Sequence, residues 1–349
     1  MEWEKNIFGF IPESEWLNIG FQVTRPNDPV DGLIGDEKTD NLVARWQTIA
    51  SEYQIPVMAQ FHGFDTQART TFRVPVDTHN IEKGLIKVKL NQSERLRELM
   101  RAGVQNDAMY DYVMNDGIRL ADQVFTRSKV AKNELLATGK VTIKENDLNL
   151  TVDYGVPSAN LAYTINTATD DVPAKIQSVI DDALNKGVVI NGILTSRQNL
   201  SKLRASASVQ TVINGTNAVG ATVRYADLVG WLSEEFGINQ VVTNDLTYGA
   251  SAVIGSNGRP NVTTARYYPA NKITFFATNP SGKLGTGLWG DPPEVDAARF
   301  MQVQTSSVSP YVYVSQWMEN DPAVLWTKAS ALYMPLLYNP NSLFVATVS

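Results

Sequence analysis

Gly139-Lys140, with Thr142 two residues on, is the first place in this 349-residue chain where the residue types suggest phosphate chemistry. A phosphate-binding loop needs two glycines flanking four residues, then Lys and Ser/Thr, between a strand and the helix that follows it. Here only Gly139 is present, Val141 follows the lysine, and the order is helix then strand. No helix N-terminus is left to face an anion. Gly139 reads instead as the residue just past a helix, where positive φ is needed. Gly285-Thr286-Gly287-Leu288-Trp289-Gly290 has the spacing of a dinucleotide fingerprint, whose last glycine must open a helix. Asp291-Pro292-Pro293 follows it, so a turn is expected there.

Other chemistries fare no better. His62 and His79 are the two histidines, and neither lies in an Asp/Glu cluster with metal-ligand spacing. Asp181-Asp182 and Glu234-Glu235 fall on expected helices as solvated faces. The absence of cysteine removes thiol nucleophiles, disulfides and thiolate zinc sites, and fits a reducing compartment. There is no Gly-x-Ser-x-Gly elbow. No cofactor, metal or catalytic set is expected, and an enzyme is not supported.

The elements that would carry any site are more informative. Residues 1–54 hold Pro12, Pro26, Pro29, Gly32 and Gly35 and isolated aromatics from Trp3 to Phe21, and read as an arm without a core, with a short helix around Asn41–Ser51. In 55–101, "VMAQFHGF" and "TTFRVPV" alternate about a polar stretch and predict a long, exposed β-hairpin. Such a hairpin is marginal alone and must lean on something else. Met109, Val113, Leu120, Val124, Ala131 and Leu135 share one face of a helix over 106–138. Alternation from Val141 to Tyr154 then predicts a hairpin, completing 102–172. Residues 173–289 read as an α/β lobe: helices begin at Pro173 and near Ser196–Ala205 and Tyr225–Phe236, and strands run at "VVINGIL", "INQVVT" and "KITFFAT". The Gly/Asn/Ser-rich 249–261 is expected to be a mobile loop. Residues 290–349 continue as the strand-like runs "YVYVSQW", "AVLWTKASALYMPLLY" and "SLFVATV".

Composition bounds the class. Apolar residues make up 43%, which suits a globular chain. The N-terminus is charged and lacks a signal-peptide core, and no apolar run reaches the ~20 residues that span a bilayer. A soluble chain made in the cytoplasm, with no membrane partner, is expected. A net charge of −6 argues against a dedicated nucleic-acid binder.

The order of parts resembles the HK97-type fold of tailed-phage major capsid proteins: an α+β architecture with an N-arm, an extended E-loop hairpin, a peripheral P domain with a long spine helix, and an inserted α/β A domain. Three stretches narrow it. "NELLATGKVTIKENDLNLTVDYG" (133–155) is similar to the spine-helix end and following strand of the lambda-like major capsid protein E family. "YPANKITFFATNPSGKLGTGLWG" (268–290) resembles that family's Pro-x-Asn strand and Gly-rich turn. "ENDPAVLWTKASALYMPLLYNPNSLFVATV" (319–348) resembles its C-terminus. The resemblance implies the N-arm at 1–54, the E-loop hairpin and start of the P domain at 55–101, the P domain at 102–172, the A domain at 173–289, and a return to P-domain strands at 290–349. It implies a structural protein of the virion that self-assembles in the host cytoplasm, as hexamers and pentamers, into an icosahedral shell around double-stranded DNA. The DNA would be held by non-specific contact only. Scaffolding protein, portal and a decoration protein are the implied partners. A cellular shell protein of the same fold (encapsulin-like) and an α/β ligand-binding or enzymatic protein remain as alternatives. Lys83, Lys87 and Lys89 lie near the E-loop, but the lambda-like relatives do without a covalent cross-link and none is expected here.

Charge is uneven along the chain: residues 1–54 carry 4 basic and 10 acidic side chains, and 55–101 carry 8 and 5. Neither segment looks able to build a core. The acidic arm (Glu13, Glu15, Asp36, Glu37) is therefore expected to meet the basic hairpin (Arg69, Arg73, Lys83, Lys87) of another copy. Each exposed pair is worth ~0–1 kcal/mol, but a shell repeats the contact in every subunit. Reversing Arg69 and Arg73 to Glu should impair assembly while leaving the subunit folded, and arm Glu→Lys changes should restore it in part. Normal assembly of the reversed protein at low salt would dispose of the contact.

Overall fold

The computed structural model describes residues 28–49, 58–59, 61–62, 64, 67, 76–92, 94, 106–145, 148–215, 220–254, 260–295, 304–308, 311–321 and 323–349. Its spine is a 33-residue helix, α1 (Asn106–Thr138), on the order of 50 Å long at ~1.5 Å per residue. Leu120, Val124, Ala131 and Leu135, four residues of the stripe read from the sequence, are buried. They pack on a six-stranded sheet in the order β1 (Ile34–Lys38), β13 (Gly285–Gly290), β16 (Ala323–Leu337), β15 (Val312–Asn320), β14 (Gln304–Val308), with β4 (Gly84–Gln92) also paired to β16. Phe125, Trp289, Tyr333 and Met334 join that core.

A second core belongs to an α/β lobe. Its five-stranded sheet runs β7 (Tyr163–Ile165), β17 (Leu343–Val348), β12 (Lys272–Phe276), β8 (Gly192–Thr195), β9 (Gln240–Thr243). Four helices accompany it: α2 (Val172–Asn185), α3 (Arg197–Ala205), α4 (Ala207–Asn214) and α5 (Tyr225–Phe236). Asp171 caps α2 and Ser196 caps α3 by side-chain acceptance of a first-turn N–H. Ile176, Val179, Leu200, Leu228, Leu232 and Phe275 fill the space between helices and sheet. The chain's last strand, β17, lies inside this sheet between β7 and β12. Every residue of β17 but Thr347 is buried, as a strand covered on both faces requires.

Three two-stranded ribbons complete the description: β2 (Val43–Ile49) with β3 (Val76–Glu82), β5 (Lys140–Glu145) with β6 (Leu148–Asp153), and β10 (Thr247–Ile254) with β11 (Pro260–Arg266). Two of them correct the sequence reading. The stretch expected to be helical at Asn41–Ser51 is β2, whose Val43, Trp46, Thr48 and Ile49 suit a pleated surface and pair with β3. The expected mobile loop at 249–261 contains most of β10 and the start of β11, with Gly249 opposite Thr264, Ser251 opposite Thr263 and Ala252 opposite Val262; its residues 255–259 lie outside the described residues. The hairpin anticipated between "VMAQFHGF" and "TTFRVPV" falls mostly outside the described residues. The described pairing, β2 with β3, sets its base at Val43↔Glu82.

A third correction concerns the glycine triplet. Gly285–Gly290 is not a turn but a fully buried strand, β13, between β1 and β16. A Cβ on Gly287 would come within 2.6 Å of Asp36 Oδ1, and one on Gly290 within 2.9 Å of Lys83 Nζ. The glycines admit charged groups into the sheet, which is a strand use of glycine.

The residues that opened the sequence reading have a clear place. Gly139 follows the last residue of α1 at φ +69°, and its N–H donates to Leu135 O at 2.8 Å. β5 starts at Lys140 and folds back along the helix, with Thr142 N–H donating to Glu134 Oε1 at 2.9 Å, so Gly139 is a helix stop and Lys140 pairs with Asp153 at 2.7 Å. A Cβ on Gly139 would lie 2.9 Å from both Cβ and Cγ2 of Val156. Gly139→Val combines a left-handed β-branched residue, ~1–2 kcal/mol, with overpacking of ~1–3 kcal/mol. Its urea midpoint should fall by the equivalent of roughly 2–5 kcal/mol, and Gly139→Ala should fall less. An unchanged midpoint for the valine variant would mean that this turn does not constrain the fold.

Candidate functional site

Among the described residues no group of three or more His, Cys, Asp or Glu is arranged to hold a metal, and no helix is long and apolar enough to cross a membrane. The chemistry that the fold concentrates is polar pairing at a joint. Lys132 on α1 is 1% exposed, and its Nζ lies 2.8 Å from Asp31 Oδ1 and 2.9 Å from Asp36 Oδ1. Trp289 Nε1 donates to the same Asp36 oxygen at 2.9 Å. From the next residue of the helix, Asn133 Nδ2 donates to Asp28 Oδ2 at 3.0 Å. Asn244, just past β9, donates to Asp28 Oδ1 at 3.0 Å and to Asn133 Oδ1 at 2.8 Å. Burial raises the Asp28 carboxyl pKa, while the Val30 N–H, Asn133 and Lys129 counter it. One cluster thus ties the segment before β1, the spine helix and the α/β lobe together.

The far end of α1 is held by the lobe as well. Lys272 Nζ donates to Ala137 O and Thr274 Oγ1 to Leu136 O, each at 2.8 Å, both from β12. A lysine on the last carbonyls is favoured by the helix dipole. Burial lowers the Lys272 pKa, so the contact is made at some cost in hydration.

The proposed inter-copy residues divide. Asp36 is committed to Lys132 and Trp289 within the chain. Lys83 is 3% exposed and donates to Thr39 O, Thr39 Oγ1 and Trp289 O at 2.6–2.9 Å. Both therefore serve the subunit's own joint. The sequence signal that marks them is the glycine opposite each, Gly287 and Gly290. Lys87 pairs with Glu294 at 2.9 Å and remains half exposed. Glu37 is exposed on β1. Glu13, Glu15, Arg69 and Arg73 lie outside the described residues. Of the acidic pairs, Asp182 accepts from Tyr163 OH at 2.7 Å and anchors β7 to α2, and Asp181 accepts from Gln177.

Two surfaces face outward. On β4, β15 and β16, Lys89 Nζ sits 4.2 Å from the centroid of the Trp326 ring, which stacks on Trp317 at 6.2 Å. Beside them Glu294 Oε1 accepts from Lys87 and Lys328, both at 2.9 Å. Elsewhere the β5–β6 ribbon overhangs a cleft of about 130 Å³ lined by Ile86, Ile143, Leu148 and Met334. Arg127 bridges to Glu145 at its rim at 3.0 Å, and Leu148 and Leu150 are exposed. Among the described residues, the prominent features are thus a buried polar joint, two-stranded ribbons and an aromatic-lysine face.

Comparison with known proteins bears on this directly. Residues 63–348 match the family described as phage major capsid protein E. A comparison with curated proteins found no match. Among solved structures, a prophage protein of E. coli CFT073 described as a capsid protein is 12% identical, with 97% of this chain and 99% of that one covered at a TM-score of 0.55. A phage-related protein of Bordetella bronchiseptica RB50 is 11% identical, with 97% of each chain covered at 0.49. The capsid of cyanophage A-1(L) is 11% identical, with 99% and 95% covered at 0.49.

Glu294 generates a pH prediction. Burial opposes its ionisation, but the hydrogen bonds from Lys328 and Lys87 outweigh it and hold the carboxyl at about 2, below its ordinary 4.5. A depressed folded-state pKa gives stability that is present above the unfolded value and lost as pH falls toward the folded one. At ~1.4 kcal/mol per unit the shift corresponds to ~3 kcal/mol, which solvent screening of the half-exposed Lys87 reduces to on the order of 2 kcal/mol. The stability difference between wild type and Glu294→Gln should be full at pH 6 and shrink between 4.5 and about 2. Urea midpoints that keep a constant gap across that window would refute the pairing.

Proposed function

The chain belongs to the phage major capsid protein E family, and from that premise we propose how it builds a head. It is a major capsid protein of a tailed phage with the HK97-type fold, its role is structural, it associates with copies of itself, and its place is the virion capsid. In our reading, many copies form hexamers and pentamers that close an icosahedral shell around double-stranded DNA, assembled in the host cytoplasm. Scaffolding protein and portal are the expected assembly partners, and a decoration protein is a further candidate. The DNA is held by confinement and non-specific contact, consistent with a net charge of −6.

Residues 1–54 would act as the N-arm, 55–101 as the E-loop, 102–172 and 290–349 as the P domain, and 173–289 as the A domain, with β1 of the arm and β13 completing the six-stranded sheet and β7 and β17 completing the lobe's sheet. The observation that carries the reading is the family match over 63–348, and the three ribbons without cores of their own support it. The arm-to-hairpin contact between copies remains proposed for Glu13, Glu15, Glu37, Arg69 and Arg73, with Lys87 shared between it and Glu294.

Negative-stain microscopy of the expressed full chain should show shells or capsomer rings, and sedimentation should show mass rising with concentration. A compact monomer at every concentration, with no particles, would overturn the reading.

A further inference from the structure

The β10–β11 ribbon is eight and seven residues of paired strand, about 25 Å long. Among the described residues it pairs with no third strand. Its base is pinned: Arg266 Nη1 reaches Asp245 Oδ1 at 3.0 Å, and Tyr248 packs against Tyr267 at 4.9 Å. Beyond the base it is exposed. Asn261, Thr263 and Thr264 all face solvent, and Val262 is 50% exposed. Between Asp245 and Arg266 the sequence holds one charge, Arg259.

Free strand edges are normally defended by charge or by shortness. Most edges of this chain are. β1 carries Asp36, Glu37 and Lys38, β3 carries Asp77 and Glu82, β4 carries Lys87 and Lys89, and β5 carries Lys140, Lys144 and Glu145. The lobe's edge strands, β7 and β9, are three and four residues long. Among the described residues, two edges carry the least defence. One is the ribbon. The other is β14, the last described strand of the six-stranded sheet; no charged residue occurs between Arg299 and Glu319.

We infer that the β10–β11 ribbon of one copy adds to the β14 edge of a second copy, extending its six-stranded sheet across the subunit boundary. The occupant is another copy because the chain holds both halves of the match, a projecting uncharged ribbon and an uncharged receiving edge. Backbone hydrogen bonds would supply the affinity, as in strand addition generally. The area fits as well. Fifteen ribbon residues are fewer than the ~20–30 a side of a stable interface, so one contact does not make a durable dimer. It serves where each copy gives one ribbon and receives another. The inference rests on the capsid reading.

The chain has no cysteine, so cross-linking is clean. Shells of the full-length Thr263→Cys/Ser307→Cys protein, treated with a short bismaleimide that tolerates register, should give a ladder running past dimer on a denaturing gel; position 307 is used because its neighbour Ser306 pairs with Val314 of the core. Each single-cysteine protein should stop at dimer. Independently, Val262→Lys and Ser307→Lys should each cut shell yield on the order of tenfold by defending the edge, with circular dichroism and subunit melting unchanged. Shells visible by microscopy but without the ladder, or normal shell yield from both lysine variants, overturn the inference while leaving the capsid reading intact. Absence of shells or rings from the wild type overturns both.

Discussion

A lysine ammonium almost wholly out of water is the constraint on which the rest of this fold depends. Desolvating such a group costs several kcal/mol unless partners surround it. Lys132 meets that demand with Asp31 and Asp36 at 2.8 and 2.9 Å. Because both carboxylates come from one short segment, that segment must lie along α1, and β1 is set parallel beside β13. Asp36 in turn enters the sheet only because position 287 has no side chain, and Trp289 turns its indole N–H toward the same oxygen. Trp289 then stacks with Tyr311 at 5.2 Å, contacts Tyr333 at 4.5 Å and meets Phe125 of the helix edge-on at 5.5 Å. A polar requirement and an aromatic core are therefore satisfied by the same few residues. Replacing one partner alone would leave a buried charge, which costs more than removing the whole set.

That joint also decides what is rigid. α1 is fixed to the segment before β1 through Asp28 and to the lobe through Asn244, and its C-terminal carbonyls are held by Lys272 and Thr274 of β12. The two cores are thus coupled along one helix, over its last two turns. The ribbons stand outside this arrangement. The β5–β6 ribbon has pairing hydrogen bonds but one buried residue, Val141, so local opening should cost least there.

The sequence was most legible where a period or a stop signal is strong. The α1 stripe, Gly139, Pro173 after the Asp171 cap, and Tyr225–Phe236 all follow from local chemistry that tertiary context does not override. The lobe strands were legible as apolar runs for the same reason. Val43–Ile49 was not, because seven residues of mixed character are strand only once β3 lies beside them. Gly285–Gly290 was misread because glycine in a strand and glycine in a turn look alike until the partner that needs the space is known; here the partners are Asp36 and Lys83, some 200 to 250 positions away. The same distance hid the roles of those two residues. Their charge suggested a surface, and only the fold shows that they face inward. The capsid family was legible from three local stretches read in order, since each sits at an element boundary where turn chemistry restricts the choice of residue.

The pattern of defended and undefended edges connects these points. A soluble monomer gains by protecting every free edge, whereas an assembling subunit must leave some open and still avoid open-ended aggregation. Charge on β1, β3, β4 and β5 narrows the permitted pairings. A ribbon and a receiving strand that are different patches of the chain form a heterologous contact, which closes into rings when the rotation between copies is fixed and runs on into filaments when it is not. What fixes the rotation is the stiffness of the parts that present the two patches. The ribbon leaves the lobe beside Asn244 and Asp245, against the Asp28–Asn133 cluster, and β14 ends the sheet on which α1 packs. Both patches are therefore referred to the same helix, and in the proposed contact the buried Lys132 joint that positions this helix would also set the angle at which one copy meets the next.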